Sequence, residues 1–474
     1  MLFSSLVFLF TFLPITLLVY YLVPRKVKNV VLLIASLIFY AWGEPVYIFL
    51  MLISILFNYF CGMDIALKAG RKSQVRSLIF TIVVNLFILG FFKYYGFIVT
   101  NLNAILPFYI PYRKLELPIG ISFYTFQTLS YIIDVYRGNV DVQVNLIDFG
   151  TYVTMFPQLI AGPIVQYADV ERQLRERKES LTKFGYGAWF FVMGLAKKVL
   201  LANTIGSIYE NIAAMDGMSV VTAWLGCLAY TFQIYFDFSG YSDMAVGLGK
   251  MFGFEFMQNF NYPYISKSVT EFWRRWHISL GSWFREYVYI PLGGNRKGFV
   301  KQCRNILIVF LLSGFWHGAS WNFVVWGLIH GIYMVGAICL SQIRKDKKRI
   351  LHPVAGWILT LLLVNIAWVF FRAPSLIGAW RILQQPFVNP LGSGIAETMS
   401  FLGIRGFAIL RLLTTGISWL ILERLPEEID KNCQTQKGFC MAAVIFVVMV
   451  TVIEFSWLGR MASGGENAFI YFRF

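Results

Sequence analysis

The sequence predicts an all-α, multi-pass integral membrane protein, and its composition, apolar runs and charge pattern all point to this class. Only 14% of the 474 residues are charged, whereas soluble domains carry about 25%. Apolar runs of about 20 residues, enough to cross a ~30 Å hydrocarbon core, recur along the chain. No soluble domain, long linker or low-complexity tract interrupts them, so we expect residues 1–474 to form one membrane domain.

Basic residues give the chain a formal net charge of +16. They cluster in the loops between apolar runs, as the positive-inside rule predicts for cytoplasmic loops. This distribution favours a role in membrane topology over nucleic-acid binding. The six cysteines show neither a CxxC pair nor the spacing of metal ligands, so we expect them to pack in the apolar interior and expect no metal site.

About eleven crossings follow from the apolar runs and their flanking charges. The regular runs lie near residues 2–23, 29–42, 46–66, 77–99, 184–205, 220–238, 321–340, 355–372, 401–424 and 439–458. The first run lacks the basic start and A-x-A site of a cleaved signal peptide, so we interpret it as a retained helix. Arg25 and Lys26 follow the first run and Arg71 and Lys72 follow the third, so these loops are expected to be cytoplasmic, with both termini outside the plasma membrane.

Two further apolar segments are irregular and predict an internal cavity. Residues 117–136 and 146–165 are broken by Pro and Gly and carry Gln127, Asp134 and Gln158. If both segments crossed the membrane, the basic residues after the second would lie outside, against the positive-inside rule. We therefore expect one segment to be re-entrant or in-plane, which is tolerated only where protein or a water-filled cavity covers the backbone.

Asp237 and Asp243 lie beside apolar sequence in residues 233–249. Carboxylates at membrane depth are costly and usually line a functional cavity. The alternative is that both lie at the end of a span, in interfacial water. The sequence leaves these two interpretations open.

Residues 268–298 predict an amphipathic helix in the plane of the cytoplasmic interface. Ser268 and Glu271 fit a capping box at its start. At about 100° per residue, an arc of about 120° collects Phe272, Trp273, Trp276, Leu280, Trp283, Phe284 and Tyr287. The charged residues Arg274, Arg275, Arg285 and Glu286 lie on much of the opposite side. His277 falls just outside the arc, which favours an ordinary interfacial histidine over a residue at a cavity mouth.

His317 and His330 lie in the apolar segment 311–331. Basic residues flank 305–340 on both sides, so the segment is expected to enter the membrane and return. Its first arm, residues 305–317, would rise only ~20 Å against a ~30 Å core, so we expect the turn with His317 to lie inside the membrane. A buried imidazole is expected to be neutral and able to act as a general base toward a hydroxyl. A hydrogen bond between helices is the alternative for His317 and the favoured interpretation for His330.

Five motifs cover most of the chain in order. They are FPQLIAGPIVQY (156–167), YFDFSGYSDMAVGLG (235–249), EFWRRWHISLGSWFREYVYIPLGGNRKG (271–298), GFWHGASWNFVVWGLIHG (314–331) and FIYFRF (469–474). Together they resemble the membrane-bound O-acyltransferase (MBOAT) family, specifically its bacterial branch of alginate and peptidoglycan O-acetylation proteins, which is related to the teichoic-acid D-alanyl transfer protein. The PLGGNRKG turn and the FIYFRF ending are more similar to the acetylation branch, although the final RF departs from the expected QF.

The resemblance implies that His317 is the catalytic residue and that His277 is the second signature residue. It also implies a ring of helices around a thinned centre, pierced by a tunnel in which the donor arrives from the cytoplasm and the acceptor from outside. The residues expected along this tunnel or at the substrate are Trp316, Asn322, Gln127, Asp237, Ser239, Arg275 and His330.

The expected activity is transfer of an acyl group, most simply acetyl, from a cytoplasmic thioester, either acetyl-CoA or an acyl carrier protein, without a bound cofactor. The expected acceptor is a cell-surface polysaccharide or an exported or membrane-anchored partner protein. His317 would take the proton of the attacking hydroxyl in a tunnel that excludes water, and the basic cytoplasmic face would attract the acidic donor. Two alternatives are D-alanyl transfer from a carrier protein to teichoic acid, and non-catalytic transport of an acyl group or a lipid.

Overall fold

A computed structural model of the chain describes residues 1–113, 115–160, 162–213, 220–343 and 352–388. The regular structure in these ranges is entirely helical, which confirms the predicted all-α class. The predicted crossings at 401–424 and 439–458, together with the FIYFRF tail, lie outside the described residues.

Seventeen α-helices make up the described ranges. The first eight are α1 (Leu13–Leu22), α2 (Lys28–Gly43), α3 (Tyr47–Leu67), α4 (Arg71–Asn103), α5 (Ile121–Arg137), α6 (Leu146–Thr154), α7 (Phe156–Leu159) and α8 (Tyr167–Glu176). The others are α9 (Leu181–Ala196), α10 (Asn203–Ala213), α11 (Val220–Met251), α12 (Val269–Arg275), α13 (Ile278–Phe284), α14 (Phe299–His317), α15 (Trp321–Ile343), α16 (Pro353–Arg372) and α17 (Leu376–Val388). Three π-helical segments lie at Phe8–Phe12, Lys197–Ala202 and Arg285–Tyr289.

Seven helical segments in the described ranges are long and apolar enough to cross a membrane. They are Arg25–Gly43, Tyr47–Leu67, Arg71–Asn103, Leu181–Ala213, Phe299–His317, Trp321–Gln342 and Pro353–Arg372. Phe8–Leu22 is apolar but shorter. These segments agree with a membrane protein, and the total of about eleven crossings stays a prediction.

The two irregular segments differ in structure. The first forms α5, a continuous helix of 17 residues, most of whose side chains are buried. The second divides into α6 and α7 because the backbone of Met155 is not helical. Pro157 then occupies the first turn of α7, where a residue without an N–H group is tolerated. Residues 146–165 therefore do not form a single crossing helix, as expected for one of the two segments.

The predicted span near 220–238 is not a separate element, because α11 runs without a break for 32 residues to Met251. Its glycines allow this helix to lie directly against α9. A Cβ atom on Gly194 or Gly240 would overlap the backbone of the other helix, and the same holds for Gly187 and Gly247. Small residues that let two backbones approach are typical of helix pairs in membranes.

A helical hairpin, α14 and α15, carries the apolar histidine segment. α15 packs against α16, and α12 contacts both α15 and α16. On the other side of the hairpin, side chains of α4 and α5 reach the end of α14. These helices position the site described next.

Candidate active site

His317 is the last residue of α14, and α15 begins four residues later at Trp321. Gly318 continues the chain in an extended conformation, and its N–H donates to the carbonyl of Gly314. The two arms of the hairpin lie close together, because a Cβ on Gly314 would overlap the carbonyl oxygen of Phe323. The glycine at this position therefore allows close packing of the two helices.

The first arm of the hairpin is longer than predicted. α14 begins at Phe299 rather than at residue 305 and has 19 residues, which corresponds to about 28 Å. Lys301 and Arg304 already belong to this helix, and their charged side chains are exposed. The arm nearly matches a ~30 Å core, so its length does not place His317 in the middle of the membrane.

Aromatic rings surround the imidazole of His317, which is only 6% exposed. Its ring centroid lies 5.0 Å from Trp316, 5.0 Å from Trp326 and 5.2 Å from Phe371. All three contacts are edge-to-face, a favourable geometry for aromatic pairs. His317 is thus held in an apolar cage built from α14, α15 and α16.

His277 breaks the amphipathic segment in two. α12 ends at Arg275 and α13 begins at Ile278, so the single in-plane helix predicted for this region is wrong. Between them, His277 has a φ of 46°, a left-handed conformation that costs free energy in a residue other than glycine. Two backbone hydrogen bonds hold the break: Ile278 N–H donates to Asn259, and Asn261 N–H donates to Arg275, each at 2.9 Å.

The interpretation of His277 as an interfacial residue is also wrong, since its side chain is only 1% exposed. The aromatic face of the segment, including Phe272, Trp276 and Trp283, is buried inside the protein rather than facing lipid. The periodicity correctly separated buried from exposed positions. It did not distinguish burial against protein from burial in lipid, because both require the same apolar face.

Asn259 fixes the orientation of the His277 ring. Its Oδ1 atom accepts the backbone N–H of Ser279 at 3.2 Å and lies 3.0 Å from Nδ1 of His277. A backbone N–H only donates, so the atom that it contacts is the amide oxygen, and Nδ1 of His277 must be the donor. A neutral His277 then carries its lone pair on Nε2, the nitrogen that is able to accept a proton.

The structure brings the two predicted catalytic histidines together around Trp316. The indole centroid lies 6.1 Å from the ring of His277 and 5.0 Å from that of His317. Phe238 of α11 packs edge-to-face on His277 at 4.7 Å. The site therefore combines residues of α11, α14 and the break between α12 and α13.

His330 lies on α15, next to this centre. It is completely buried, and its Nδ1 accepts the indole N–H of Trp273 at 3.2 Å. Its ring packs on Trp273 and Trp326 at 4.9 and 5.1 Å. Since Trp326 also packs on His317, His330 stabilises the aromatic cage through Trp326, in line with a structural role.

Asp237 is buried in a protein ion pair. Its carboxylate lies 2.5 Å from the ammonium of Lys198, and both side chains are at most 5% exposed. Asp243 pairs with Lys197 at 2.7 Å and is about one quarter exposed. The two lysines open the π-helical segment after α9, so these pairs connect α9 to α11. For Asp237 the interpretation of a carboxylate in interfacial water is therefore wrong.

The other predicted tunnel residues differ in their surroundings. Asn322 is buried and donates to the carbonyl of Ala373 at 2.6 Å, which ties α15 to the end of α16. Arg275 is half-buried and pairs with Glu271 at 3.0 Å. The side chains of Gln127 and Ser239 are buried, and neither has a hydrogen-bond partner among the described residues. Protein contacts therefore satisfy polar groups of Asn322 and Arg275, whereas Gln127 and Ser239 have polar atoms that could bind a ligand.

Lys93 and Asn259 are site residues that sequence reasoning missed. Lys93 of α4 donates to the carbonyl of Trp316, and a lysine inside an apolar run is by itself a signal of function. Asn259 precedes His277 by 18 residues in a loop, and no local pattern joins the two. Within the described ranges, no group of His, Cys, Asp and Glu side chains could hold a metal ion.

Comparison with known proteins places these residues in a family. Residues 34–373 match the membrane-bound O-acyltransferase family. The probable alginate O-acetylase AlgI of Pseudomonas putida is 44% identical, with both chains covered in full. The corresponding protein of Pseudomonas aeruginosa is 47% identical over 82% of this chain and 75% of its own. The peptidoglycan O-acetyltransferase of Helicobacter pylori is 36% identical over 81% of this chain and 79% of its own. The chain therefore belongs to the membrane-bound O-acyltransferase family and is an acyltransferase.

Proposed function

We propose that this protein moves an acetyl group from a cytoplasmic thioester to a hydroxyl acceptor on the other side of the plasma membrane, for O-acetylation of a cell-surface polysaccharide. The observation that carries the proposal is the pair of buried histidines on Trp316, in a chain whose relatives are named for acetyl transfer. Both imidazoles are buried, and exclusion of water protects an activated acyl group from hydrolysis.

His317 is the proposed general base. It accepts the proton of the attacking hydroxyl while the hydroxyl oxygen forms a bond to the thioester carbon. The carbon–sulfur bond then breaks, and His317 returns the proton to the departing sulfur. The products are an acetyl ester and a free thiol, and the protein regains its starting state. His277, whose ring is oriented by Asn259, positions the reactants through Nε2.

Buried polar atoms support a passage next to this centre. Several side chains of α5, α7, α11 and the loop after α11 are buried, and each has a polar atom without a hydrogen-bond partner among the described residues. They are Tyr124, Gln127, Gln158, Ser239, Ser242 and Asn259. Buried polar atoms are normally paired with protein or with water, so a set of this size favours a channel that holds water or substrate.

A cavity of about 240 Å³ is the proposed route for the acceptor. Arg372, Asn365 and Tyr209 line it, together with Trp368, which stacks on Trp326 of the His317 cage. Arg372 ends α16, whereas the start of α16 follows five basic residues, Arg344, Lys345, Lys347, Lys348 and Arg349. The positive-inside rule then assigns Arg372 to the outer side. A guanidinium above the ring of Tyr209, at 4.9 Å, suits an acceptor with a carboxylate.

The proposed donor approaches from the opposite, basic side. Its chemistry is that of acetyl-CoA or an acetylated carrier protein, since both are acidic thioesters and both are attracted by clustered Lys and Arg. The same orientation puts the N-terminus outside. The proposed acceptor is a surface glycan, or an exported or membrane-anchored partner protein that passes the acetyl group to the glycan.

The deciding experiment follows both halves of the thioester in liposomes that contain the purified protein. Acetyl-CoA with a labelled acetyl group is added on one side, and a uronic-acid oligosaccharide or the exported partner protein is added on the other. Transfer yields a labelled ester, detected by mass spectrometry, together with one free thiol for each ester. Passage of intact thioester would indicate a transporter. In a parallel assay with labelled D-alanyl carrier protein in place of acetyl-CoA, a labelled ester formed only from this second donor would indicate D-alanyl transfer. Either outcome contradicts the proposal.

A further inference from the structure

Lys93 lies beside the proposed reaction centre although it belongs to a distant part of the sequence. It is the single charged residue of α4 between Arg76 and Asn103. Its ammonium donates to the carbonyl of Trp316 and to the hydroxyl of Ser122, the latter at 3.2 Å. It also lies 5.6 Å from the centroid of the Trp316 ring. Lys93 therefore contacts the residue that lies between the two histidines.

Two neighbouring residues of α4 perform the same task at the end of α14. The last carbonyls of a helix have no partner within the helix. Lys93 satisfies the carbonyl of Trp316, and Tyr94 donates to the carbonyl of Phe315 at 2.6 Å. Tyr94 shows that a neutral hydroxyl is sufficient for such a cap. A lysine at this depth costs far more desolvation than a tyrosine, so capping alone does not account for it.

The surroundings of Lys93 suit a charged ammonium. A carbonyl, a hydroxyl and an indole face are all electron-rich partners for a cation. Among the described residues, none of the ion pairs includes Lys93. Its positive charge is therefore not neutralised by a described carboxylate. Lys93 is half-buried in the apolar helix α4, and a positive charge in such partly buried surroundings acts over a longer distance than it would in water.

We propose that Lys93 is a positioning residue of the acetyl transfer: it holds the turn that carries His317, and its charge stabilises the anion that develops on the acyl oxygen. This inference rests on the proposed function. When the acceptor oxygen bonds to the thioester carbon, the electron pair of the carbonyl double bond moves to its oxygen. The nearby positive charge lowers the energy of this state. The double bond then re-forms, the carbon–sulfur bond breaks, and Lys93 exchanges no proton.

Three variants separate the charge from the cap. Lys93→Met removes the charge and the donor but keeps the apolar stem, Lys93→Arg keeps the charge, and Tyr94→Phe removes only the neutral cap. Acetyl transfer by each purified variant is measured in liposomes, with kcat and KM referred to the amount of folded protein from a thermal unfolding curve. We expect Lys93→Met to lower kcat by about 10–100-fold with KM changed less than about 3-fold, since a direct oxyanion donor gives about 100–1,000-fold. We expect Lys93→Arg to recover kcat to within about 10-fold of the parent protein, and Tyr94→Phe to lower it by less than about 3-fold.

Several results would overturn the inference. One is a kcat of Lys93→Met within about 3-fold of the parent protein, and another is an effect confined to KM. A third is an equal loss in Lys93→Met and Lys93→Arg, which would show that the charge is not the cause. A fourth is an equal loss in Lys93→Met and Tyr94→Phe, which would show that capping the end of α14 is the whole effect. If the parent protein forms no acetyl ester, the proposed function itself fails, whereas an active parent with an unaffected Lys93→Met overturns only the role of Lys93.

Discussion

The two histidines of the site are held by different physical means. His277 is oriented by polar contacts: its Nδ1 pairs with Asn259, and its left-handed backbone is fixed by hydrogen bonds from a neighbouring loop. His317 is oriented by packing, at the end of a regular helix and inside a cage of Trp316, Trp326 and Phe371. Directional bonds are therefore the conspicuous contacts of His277, and close aromatic packing is the conspicuous contact of His317.

This difference bears on the roles of the two residues. A ring fixed through Nδ1 keeps one tautomer and presents Nε2 in a constant direction, which suits the positioning of a reactant. A ring enclosed by aromatic edges is shielded from water. This suits a group that accepts a proton and returns it in each cycle. The comparison predicts that polar substitutions affect the His277 side, whereas changes of volume affect the His317 side.

The largest effect is expected from His317→Ala. If this residue is the general base, the rate of acetyl transfer should fall by about 1,000-fold or more, because both the proton acceptor and the acid that protonates the sulfur are lost. His352→Ala, in a loop outside the cage, is the matched control and should retain full activity. The measurement is ester formation from labelled acetyl-CoA by equal amounts of folded protein. Transfer at the parent rate by His317→Ala, together with loss in His277→Ala, would show that the two roles are reversed.

The next largest effect is expected on the His277 side of the site, which is held by polar contacts. Asn259→Ala removes the acceptor that holds both His277 and Ser279, and we expect a fall in kcat of about 10–100-fold, comparable to the loss of other groups that orient a reacting residue. Asn259→Asp keeps an oxygen acceptor and should retain more activity than Asn259→Ala. Equal activity of the two variants, measured in the same assay, would show that Nδ1 of His277 does not need this partner.

Much of the fold could be predicted from the sequence, because the membrane itself determines the length of the apolar runs and the location of the basic loops. The helical class and several of the spans required only composition and periodicity. The break at His277 was not predictable, because an aromatic arc remains apolar whether or not the helix is continuous. A left-handed conformation at a histidine also has no sequence signal, since it is imposed by the loop around Asn259.

The site was readable only in part, for reasons that differ among its residues. His317 and Trp316 lie in a conspicuous apolar segment, and His277 was found through the family resemblance. The residues that orient them come from distant parts of the chain. Asn259 contacts His277 through a loop, and Lys93 contacts Trp316 across 223 positions. Such pairs depend on how the helices are arranged in three dimensions, and the periodicity of a sequence gives no information about that arrangement. The length argument for His317 failed because charged residues can extend a helix beyond the apolar run.

A smaller effect is expected from a change of volume on the packed side. A Cβ on Gly314 would overlap the backbone oxygen of Phe323, so Gly314→Ala should push α14 and α15 apart and destabilise the protein by about 1–3 kcal/mol. Gly281→Ala in α13 is the matched control, because its new Cβ would meet nothing closer than 4.0 Å. This control should leave stability unchanged or raise it by about 0.5–1 kcal/mol. Thermal unfolding in detergent measures both, and equal melting temperatures would contradict the tight packing of the hairpin.

The smallest effect is expected at His330, the third histidine of the region. His330→Phe keeps an aromatic ring in the cage, somewhat larger than the imidazole, and removes the acceptor for the indole N–H of Trp273. A single neutral hydrogen bond contributes about 1 kcal/mol, so acetyl transfer should fall by less than about 5-fold and stability by about that amount. His330→Ala should be worse, because it leaves a cavity beside Trp326, the ring that packs on His317. If His330→Phe instead abolished transfer while the protein stayed folded, His330 would carry a proton in the reaction. The comparison of one histidine held by polar contacts with another held by packing would then have to include a third reacting group.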